Sequence, residues 1–150
     1  MEGCVESGIY VDEEANWFYE AREIIREDIL EVFYNNLDMV SWGNFVIRWE
    51  GKIYAVKVAD TPFVVARVDK RDDSFMISLK HLRESEILDL DTLSVGRSNI
   101  LYCKVKRRFP ARFSRPAYYQ LARWIEEDPE TGRFCITSGG VRHFIKTENE

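Results

Sequence analysis

The chain has 150 residues, a mass of 17.7 kDa and a formal net charge of −5 at pH 7. Its length suits one compact domain or two small, closely packed ones, and a chain of this size needs no metal or disulfide to fold. The 45% hydrophobic and 31% charged content argues against disorder, and the acidic balance argues against a general nucleic-acid binder.

The sequence carries no signal for a membrane or an oxidising compartment. No stretch approaches the roughly 18 consecutive apolar residues of a membrane-spanning helix, and residues 1–6 lack the pattern of a signal peptide. Cys4, Cys103 and Cys135 are an odd number without CxxC spacing, which indicates free thiols. We therefore expect a cytoplasmic location in a bacterium-like cell.

The region before residue 40 predicts a strand followed by a helix. Ile9 and Val11 alternate with polar residues and precede an aromatic cluster at 17–19. Apolar residues then recur at every fourth position, which predicts a helix from about 26 to 37. They are Ile25, Ile29, Phe33 and Leu37.

Beyond Gly43 the hydrophobic period becomes two, which is typical of strands. Glu50-Gly51 predicts a tight hairpin turn, because glycine tolerates a positive φ. Asp60-Thr61-Pro62 ends the next strand, because proline cannot donate to a sheet ladder. The predicted strands lie at 45–49, 52–58, 63–69, 74–79 and 100–106, with a short strand within 82–99.

Part of the chain recurs 89 positions later, with Arg26 falling on Arg115 and no gap needed from 26 to 56. Gly43, Phe45, Ile47 and Gly51 fall on Gly132, Phe134, Ile136 and Gly140. In the second copy, Ser114 can cap a helix whose first turn contains Pro116. A last hairpin follows around Gly139-Gly140.

The predicted fold class is therefore α+β. It is an internal duplication of a helix-plus-antiparallel-hairpin unit, with antiparallel sheets each packed against one helix. We predict two domains, an N-terminal α+β repeat at 1–60 and a C-terminal α+β repeat at 61–150.

Enzymatic chemistry has little support in the sequence. The two histidines, His81 and His143, lack metal-ligand spacing, so no metal or other cofactor is predicted. Cys103 or Cys135 with His143 would form the nucleophile pair of a hydrolase or transferase. Both cysteines lie in apolar strand patterns, which are typical of inert buried thiols. The pattern favours a non-catalytic protein.

Arginines recur at equivalent places, one before each helix and one at its start. They are Arg22, Arg26, Arg112 and Arg115. The guanidinium fork suits carboxylate and phosphate groups, so four such side chains could converge on one anion. In the alternative interpretation each arginine pairs with a local acid such as Glu20, Glu23 or Asp28 and only fixes the start of its helix.

A basic stretch stands out in this acidic chain. Residues 104–115 contain six lysines and arginines and no acid. This stretch could steer an anionic ligand or a phospholipid headgroup, or it could protect a strand edge from aggregation. Ser138-Gly139-Gly140 lies between two strands with no helix behind it, so it predicts a hairpin turn rather than a phosphate loop.

An ordered set of residues resembles domain-of-unknown-function family 1285. The set comprises Trp17, Ala21, Ile24, Arg26, Phe33, Asp60-Thr61-Pro62-Phe63, Arg112-Phe113-Ser114-Arg115, Tyr118 and Ser138-Gly139-Gly140. The resemblance covers about 9 to 145 and implies glycine where this chain has Ala21. It also implies a duplicated α+β core whose C-terminal half is similar to a pleckstrin-homology-like barrel. The resemblance further implies a ligand site between the halves that suits a nucleotide-like molecule. It also implies a role in signalling or stress response.

We therefore expect a non-catalytic regulatory or signal-transduction module that binds a small anionic, nucleotide-like ligand between its two halves. The four arginines would hold phosphate groups, Trp17, Tyr19 or Phe63 would offer a stacking face, and Asp60 would lie at the junction beside the site. The alternative is a protein–protein adaptor that presents an edge strand or a groove to a partner, without a small-molecule ligand.

Overall fold

The structure is a computed structural model that describes residues 3–147. Within these residues the chain forms sixteen strands, two α-helices and two short 3-10 helices, which is an α+β fold dominated by sheet. The chain divides between Pro62 and Phe63 into two compact units. We call them the first unit and the second unit.

The first unit is one mixed sheet with a single helix. Its elements are β1 (Cys4–Val11), β2 (Trp17–Tyr19), β3 (Arg22–Glu23), α1 (Glu27–Asn35), β4 (Leu37–Ser41), β5 (Asn44–Trp49) and β6 (Lys52–Val58). The strand order is β3-β2-β1-β6-β5-β4. The strands pair antiparallel except β1 and β6, which are parallel. Val11, Trp17, Leu30 and Val46 are at most 1% exposed and form the centre of the core.

The second unit contains two sheets. Its strands are β7 (Phe63–Arg71), β8 (Ser74–Leu79), β9 (Ser85–Ile87), β10 (Ser94–Val95), β11 (Leu101–Val105), β12 (Phe109–Phe113), β13 (Ile125–Glu127), β14 (Phe134–Ser138), β15 (Val141–Phe144) and β16 (Lys146–Thr147). The helix α2 (Arg115–Ala122) follows β12, and 3-10 helices lie at Leu90–Thr92 and Arg97–Asn99. The strand orders are β16-β10-β11-β12-β7-β8-β9 and β13-β14-β15. Both orders are open, so residues 63–147 show no closed barrel, and the pleckstrin-homology-like detail stays a prediction.

One run of elements occurs in both units. In each, a helix is followed by three antiparallel strands, and an earlier strand of the unit pairs in parallel with the unit's last strand. The hairpin registers also agree at the offset of 89, since Ile47 pairs with Tyr54 and Ile136 pairs with His143. The duplication of a whole unit stays a prediction.

The predicted elements differ from the structure in several details. The first helix ends at Asn35 rather than near Leu37, because Leu37 begins β4 and pairs with Ile47. The expectation of purely antiparallel sheets is wrong, since β1–β6, β7–β12 and β10–β16 are parallel pairs. Parallel pairing requires a crossover, and in the first unit α1 and the strands around it provide that crossover.

Candidate functional site

A groove of about 440 Å³ lies in the first unit between α1 and the sheet. We call it the first-unit groove. Its apolar and aromatic lining consists of Ile9, Tyr19, Val32, Phe33, Ile47, Trp49 and Tyr54. Two polar residues, Glu6 and Ser7, complete the lining. A concave, mostly apolar cavity with few polar groups is the usual form of a small-molecule site.

Strand register brings the aromatic side chains to one face of the sheet. Residues directly opposite each other on paired strands project to the same side. Tyr19 pairs with Ile9, and Tyr54 pairs with Ile47. Trp49 lies two residues after Ile47 and so projects to the same face. Because neighbouring strands lie about 4.8 Å apart, the four strands β2, β1, β6 and β5 make a floor about 14 Å wide.

The helix wall of the groove rests on a rigid aromatic cluster. Phe33 packs on Trp17 with ring centroids 5.7 Å apart, and Trp17 is fully buried. The indole Nε1 of Trp17 donates to the Tyr34 hydroxyl at 2.9 Å, and that hydroxyl donates to the Pro62 carbonyl at 2.7 Å. Burial raises the pKa of Tyr34, so its hydroxyl stays protonated and keeps donating.

A β-bulge in β1 forms the polar end of the groove. Between Glu6 and Ile9, β1 contains two residues that have no counterpart in β6. The Ser7 hydroxyl donates to the Ala55 carbonyl and accepts from the Ile9 N–H at 3.0 Å. Gly8 has φ +74°, which glycine adopts at no steric cost. Bulges re-aim side chains beside functional sites, and this one lies where Glu6 and Ser7 meet the cavity.

The turn between β2 and β3 places Arg22 opposite Tyr19, a residue that lines the groove, although Arg22 itself is not a lining residue. Arg22 pairs with Tyr19 across the hairpin, so both side chains project to the face that carries the cavity. The turn residues Glu20 and Ala21 have φ +45° and +68°, a conformation that costs energy in residues with a Cβ. Arg22 is exposed, and its side chain makes no hydrogen bond or ion pair with any residue within 3–147.

The other predicted arginines lie in different settings. Arg26 is the N-cap residue of α1 and forms a surface ion pair with Asp28 at 2.6 Å, which is the local pairing of the alternative interpretation. That guanidinium lowers the pKa of Asp28. Arg112 is half-buried on β12, and Arg115 is exposed at the start of α2. A site that joins all four arginines stays a prediction.

The predicted stacking residues separate by burial. Tyr19 is 51% exposed and lines the first-unit groove. Trp17 is 0% exposed and supports the groove from beneath, and Phe63 is 3% exposed and packs on Phe109 at 5.4 Å between centroids. In this structure neither buried ring has a face open to a ligand. Asp60 is half-buried in the segment that follows β6.

Cys103 lies in surroundings that favour the neutral thiol, and Cys135 is turned away from His143. Cys103 is 2% exposed, and its burial, followed by the nearby carboxylates of Glu86 and Asp89, raises its pKa. Cys135 pairs with Phe144, whereas His143 pairs with the next residue, Ile136, so Cys135 and His143 project to opposite faces of their sheet. His143 instead contacts Asp91 through Nδ1 at 2.6 Å.

The basic stretch at 104–115 forms most of the β11–β12 hairpin and the start of α2. At the hairpin tip, Lys106 and Arg107 have φ +50° and +74°. The Lys106 N–H donates to a carboxylate oxygen of Glu86 at 3.1 Å, and the Arg108 guanidinium lies 4.7 Å from the Phe109 ring centre. The strand-edge interpretation is wrong, because β11 lies between β10 and β12, and β12 lies between β11 and β7.

Sequence reasoning did not identify Phe33, Trp49 and Tyr54 as groove residues. Phe33 was assigned to the apolar stripe of the helix, and the other two are aromatic positions of the first hairpin. Their signal was present as two aromatic residues near the turn at Glu50-Gly51, on strands that pair across that turn. The sequence does not show how α1 packs on the sheet, and this packing decides which part of the sheet face stays uncovered.

The residues that the structure describes contain neither a candidate metal cluster nor a helix suited to span a membrane. Residues 3–147 contain no group of three or more histidine, cysteine, aspartate or glutamate side chains placed to hold a metal ion. Neither α-helix described in 3–147 is long and apolar enough to cross a membrane.

Solved structures of two other proteins have a fold similar to that of this chain. A DUF1285 family protein from Silicibacter pomeroyi matches with a TM-score of 0.78 and 18% identity, over 94% of this chain and 79% of that one. A DUF1285 family protein from Shewanella baltica matches with a TM-score of 0.67 and 13% identity, over 77% of this chain and 90% of that one. No family model and no curated protein matches the sequence. The resemblance to family 1285 is thus confirmed at the level of the fold.

Proposed function

We propose that this protein is a non-catalytic regulatory module whose first unit binds a small planar ring bearing an anionic group, as a nucleotide does. The observation that carries the proposal is the first-unit groove, in which four aromatic side chains surround a cavity next to Arg22. Its volume of about 440 Å³ falls within the range of ligand pockets in proteins.

Aromatic walls favour a flat ring as the occupant. Tyr19 and Trp49 are 51% and 44% exposed, so each offers ring surface to a ligand at the cavity. Stacking of a base on an aromatic side chain contributes about 1–3 kcal/mol. Phe33 is held in place by Trp17, which reduces the entropy lost when a ring packs against it.

The polar groups at the groove suit a ligand that has a hydrogen-bond donor on its ring and also carries an anionic group. The Glu6 carboxylate can accept a hydrogen bond from a ring N–H or amino group, as carboxylates do when they recognise bases. The Arg22 guanidinium, on the strand next to Tyr19, can donate two hydrogen bonds to a phosphate. The charged hydrogen bonds between a guanidinium and a phosphate contribute more to affinity than a hydrogen bond between neutral groups.

Calorimetry with the full chain tests the proposal. We expect at least one of the 5′-monophosphates of adenosine, guanosine, cytidine and uridine to bind, and its uncharged nucleoside to bind about tenfold more weakly. The variant Arg22→Gln should remove this difference, because only the phosphate contact is lost. Trp49→Ala should weaken nucleotide and nucleoside alike, because it removes a ring surface.

Arg83→Gln is the matched control, since Arg83 is an exposed arginine outside the groove. This variant should bind like the wild type. Four monophosphates without measurable binding, or equal losses in Arg22→Gln and Arg83→Gln, would contradict the proposal.

Two finer features of the fold are part of the proposal. We propose that the two units derive from one duplicated motif, supported by the common offset of 89 in sequence and in hairpin register. The pleckstrin-homology-like character of the second unit is a proposal that the sequence supports.

A protein–protein adaptor is the second candidate. The observation that favours it is the edge strand β4, which ends beside Trp42, a side chain that is 64% exposed. Edge strands offer unpaired backbone groups to a partner strand. In this case Trp42→Ser would reduce binding of a purified partner while Arg22→Gln would not, and the nucleotide titrations would be silent.

A further inference from the structure

The second unit contains its own groove, with a volume of about 630 Å³. We call it the second-unit groove. Its base consists of Leu101 and Ile145, which are 2% and 5% exposed. The helix α2 contributes Tyr118 and Ala122 to the lining, and β14 contributes Phe134. A helix and a strand therefore bring one aromatic ring each to the same cavity.

The largest exposed apolar side chains at this groove are the two aromatic rings. Phe134 and Tyr118 are 54% and 37% exposed, whereas the two base residues have almost no surface left to cover. A ligand buries only surface that solvent reaches in the free protein, so the exposed rings contribute more than the aliphatic base. Aromatic rings prefer stacked or edge-to-face contact with another ring. The exposed surface thus favours a planar ring over a saturated chain.

Regular secondary structure fixes the backbone that presents both rings. At the start of α2, the Ser114 hydroxyl accepts a hydrogen bond from the Ala117 N–H at 3.2 Å, one residue before Tyr118. Phe134 lies on the central strand of its three-stranded sheet, and its carbonyl accepts from the Ile145 N–H at 2.9 Å. A fixed backbone reduces the entropy that is lost when a ligand packs against these rings.

The polar groups at the groove suit an uncharged ligand. No aspartate or glutamate is among the lining residues, so a cationic ring would have no counter-charge there. Arg133 lines the groove, but its guanidinium packs on the Phe144 ring at 4.7 Å and the residue has a further interaction within the chain. An anion would have to compete with these existing partners.

Asn99 supplies a polar group that a neutral ligand can use. It is exposed and lines the groove, and its side chain makes no hydrogen bond with any residue in the range 3–147. A side-chain amide both donates and accepts hydrogen bonds. It can therefore pair with a hydroxyl or an amide on the ligand.

We infer that the second-unit groove binds an uncharged, planar aromatic ring that carries a hydroxyl or amide group. The ring packs against Tyr118 and Phe134, and its polar group forms a hydrogen bond with the Asn99 amide. This site is independent of the proposed nucleotide-like ligand, because it uses other residues and requires no anionic group.

Calorimetric titration of the full chain with 2-naphthol tests the inference. Decahydro-2-naphthol has the same carbon skeleton and hydroxyl but no flat aromatic system, and 2-naphthoate has the flat ring with a negative charge. We expect 2-naphthol to bind at least about fivefold more tightly than either. The saturated probe tests the preference for a ring, and the charged probe tests the preference for a neutral ligand.

Phe134→Leu keeps apolar bulk but removes one ring. It should lower 2-naphthol affinity about fivefold and leave the affinity for decahydro-2-naphthol unchanged. Tyr118→Leu, at an exposed position of α2, should act in the same way and decides the question if Phe134→Leu does not fold. Asn99→Gly, which retains the positive φ of +60°, should lower 2-naphthol affinity about fivefold through loss of the hydrogen bond.

Tyr10→Leu is the matched control, since Tyr10 is 42% exposed and lies outside the linings of both grooves. This variant should bind 2-naphthol like the wild type. Trp49→Ala changes the aromatic lining of the first-unit groove alone, and it should also leave 2-naphthol binding at the second unit unchanged.

Four results would overturn the inference. The first is the absence of 2-naphthol binding, and the second is an affinity for either comparison probe that equals or exceeds that for 2-naphthol. The third is an equal loss in Phe134→Leu and Tyr10→Leu. The fourth is a loss in Trp49→Ala without one in Phe134→Leu, which would assign the binding to the first unit. Nucleotide binding is tested separately by Arg22→Gln.

Discussion

Tyr34 is the residue that fixes the helix wall of the first-unit groove. Its buried hydroxyl accepts from Trp17 and donates to the carbonyl of Pro62. Both partners would be buried without a hydrogen-bond partner if the hydroxyl were removed, and each such group costs about 1–3 kcal/mol. Phe33 packs on the same Trp17 ring, so this network also positions a groove residue.

Tyr34→Phe should therefore lower the free energy of unfolding by about 2 kcal/mol or more. Urea denaturation measures the change. Tyr119→Phe is the matched control, because Tyr119 is 61% exposed and should lose almost nothing. Equal stability of the two variants would show that the buried network does not stabilise the first unit.

Asp128 anchors the turn between β13 and β14 through its ionised carboxylate. The Thr131 hydroxyl donates to it at 2.7 Å, and Arg142 forms an ion pair with it at 2.7 Å. The hydrogen bond from Thr131, and then the charge of Arg142, lower the pKa of Asp128. A lowered pKa stabilises the fold above the unfolded-state pKa of about 4, and this stabilisation is lost as pH falls through the folded-state pKa.

Asp128→Asn should thus be less stable than the wild type at pH 7, and the difference should shrink as the pH is lowered to about 2. Denaturation curves recorded across this range measure it. Glu130→Gln, an exposed neighbour in the same turn, serves as the control and should follow the wild type. If the difference in the free energy of unfolding between Asp128→Asn and the wild type stays constant from neutral to acid pH, the charge of Asp128 does not stabilise the fold.

Burial separates the aromatic residues that the sequence predicts as stacking residues. Tyr19 was predicted as a stacking residue and does line a cavity. Trp17 and Phe63 were predicted on the same grounds, but both rings lie in the core. An aromatic residue gives the same alternating sequence pattern whether its ring lies in the core or lines a cavity. Only the packing of α1 on the sheet decides which ring is covered.

The β2–β3 hairpin is the element that connects Arg22 to the groove. Its two-residue turn has positive φ at Glu20 and Ala21, and turns of this kind strongly prefer glycine at the second position. The family resemblance implies glycine where this chain has Ala21. The observed φ of +68° supplies the physical reason for that preference.

Ala21→Gly should therefore raise the free energy of unfolding by about 0.5–1 kcal/mol, because relief of the left-handed conformation outweighs the added backbone entropy of glycine. Urea denaturation measures the gain. Ala59→Gly, at an exposed position without positive φ, is the control and should be neutral or destabilising. A loss of stability in Ala21→Gly would contradict the assignment of strain to this turn.

Strand β12 shows why some elements could not be predicted. It follows a tight turn at Lys106 and Arg107, both with positive φ and neither a typical turn residue. The first two hairpins carried glycine or acidic turn signals and were predicted at nearly the observed positions. A turn can be recognised in the sequence when it contains residues, such as glycine or asparagine, that adopt a positive φ at little cost. Lys106 and Arg107 are not such residues, so the sequence gives no signal for this turn.

At the scale of the whole molecule, the sequence predicted the α+β class and the resemblance to family 1285, and the fold comparison confirms both. It could not predict the parallel strand pairs, because these join residues far apart in the chain, such as Val5 with Tyr54. The first-unit groove depends on the same long-range pairing, because its lining residues Ile9, Tyr19 and Tyr54 lie on strands that this pairing joins.

The most direct test of the proposed function uses the four tryptophans as reporters. Each indole N–H gives its own signal in a ¹⁵N-correlated spectrum, and Trp49→Phe identifies the signal of the groove residue. The full chain is titrated with the nucleoside monophosphate that binds most tightly in calorimetry. The proposal predicts that the Trp49 signal shifts with the ligand and that Arg22→Gln needs about tenfold more ligand for the same shift. A Trp49 signal that stays unchanged while calorimetry shows the protein saturated would contradict it.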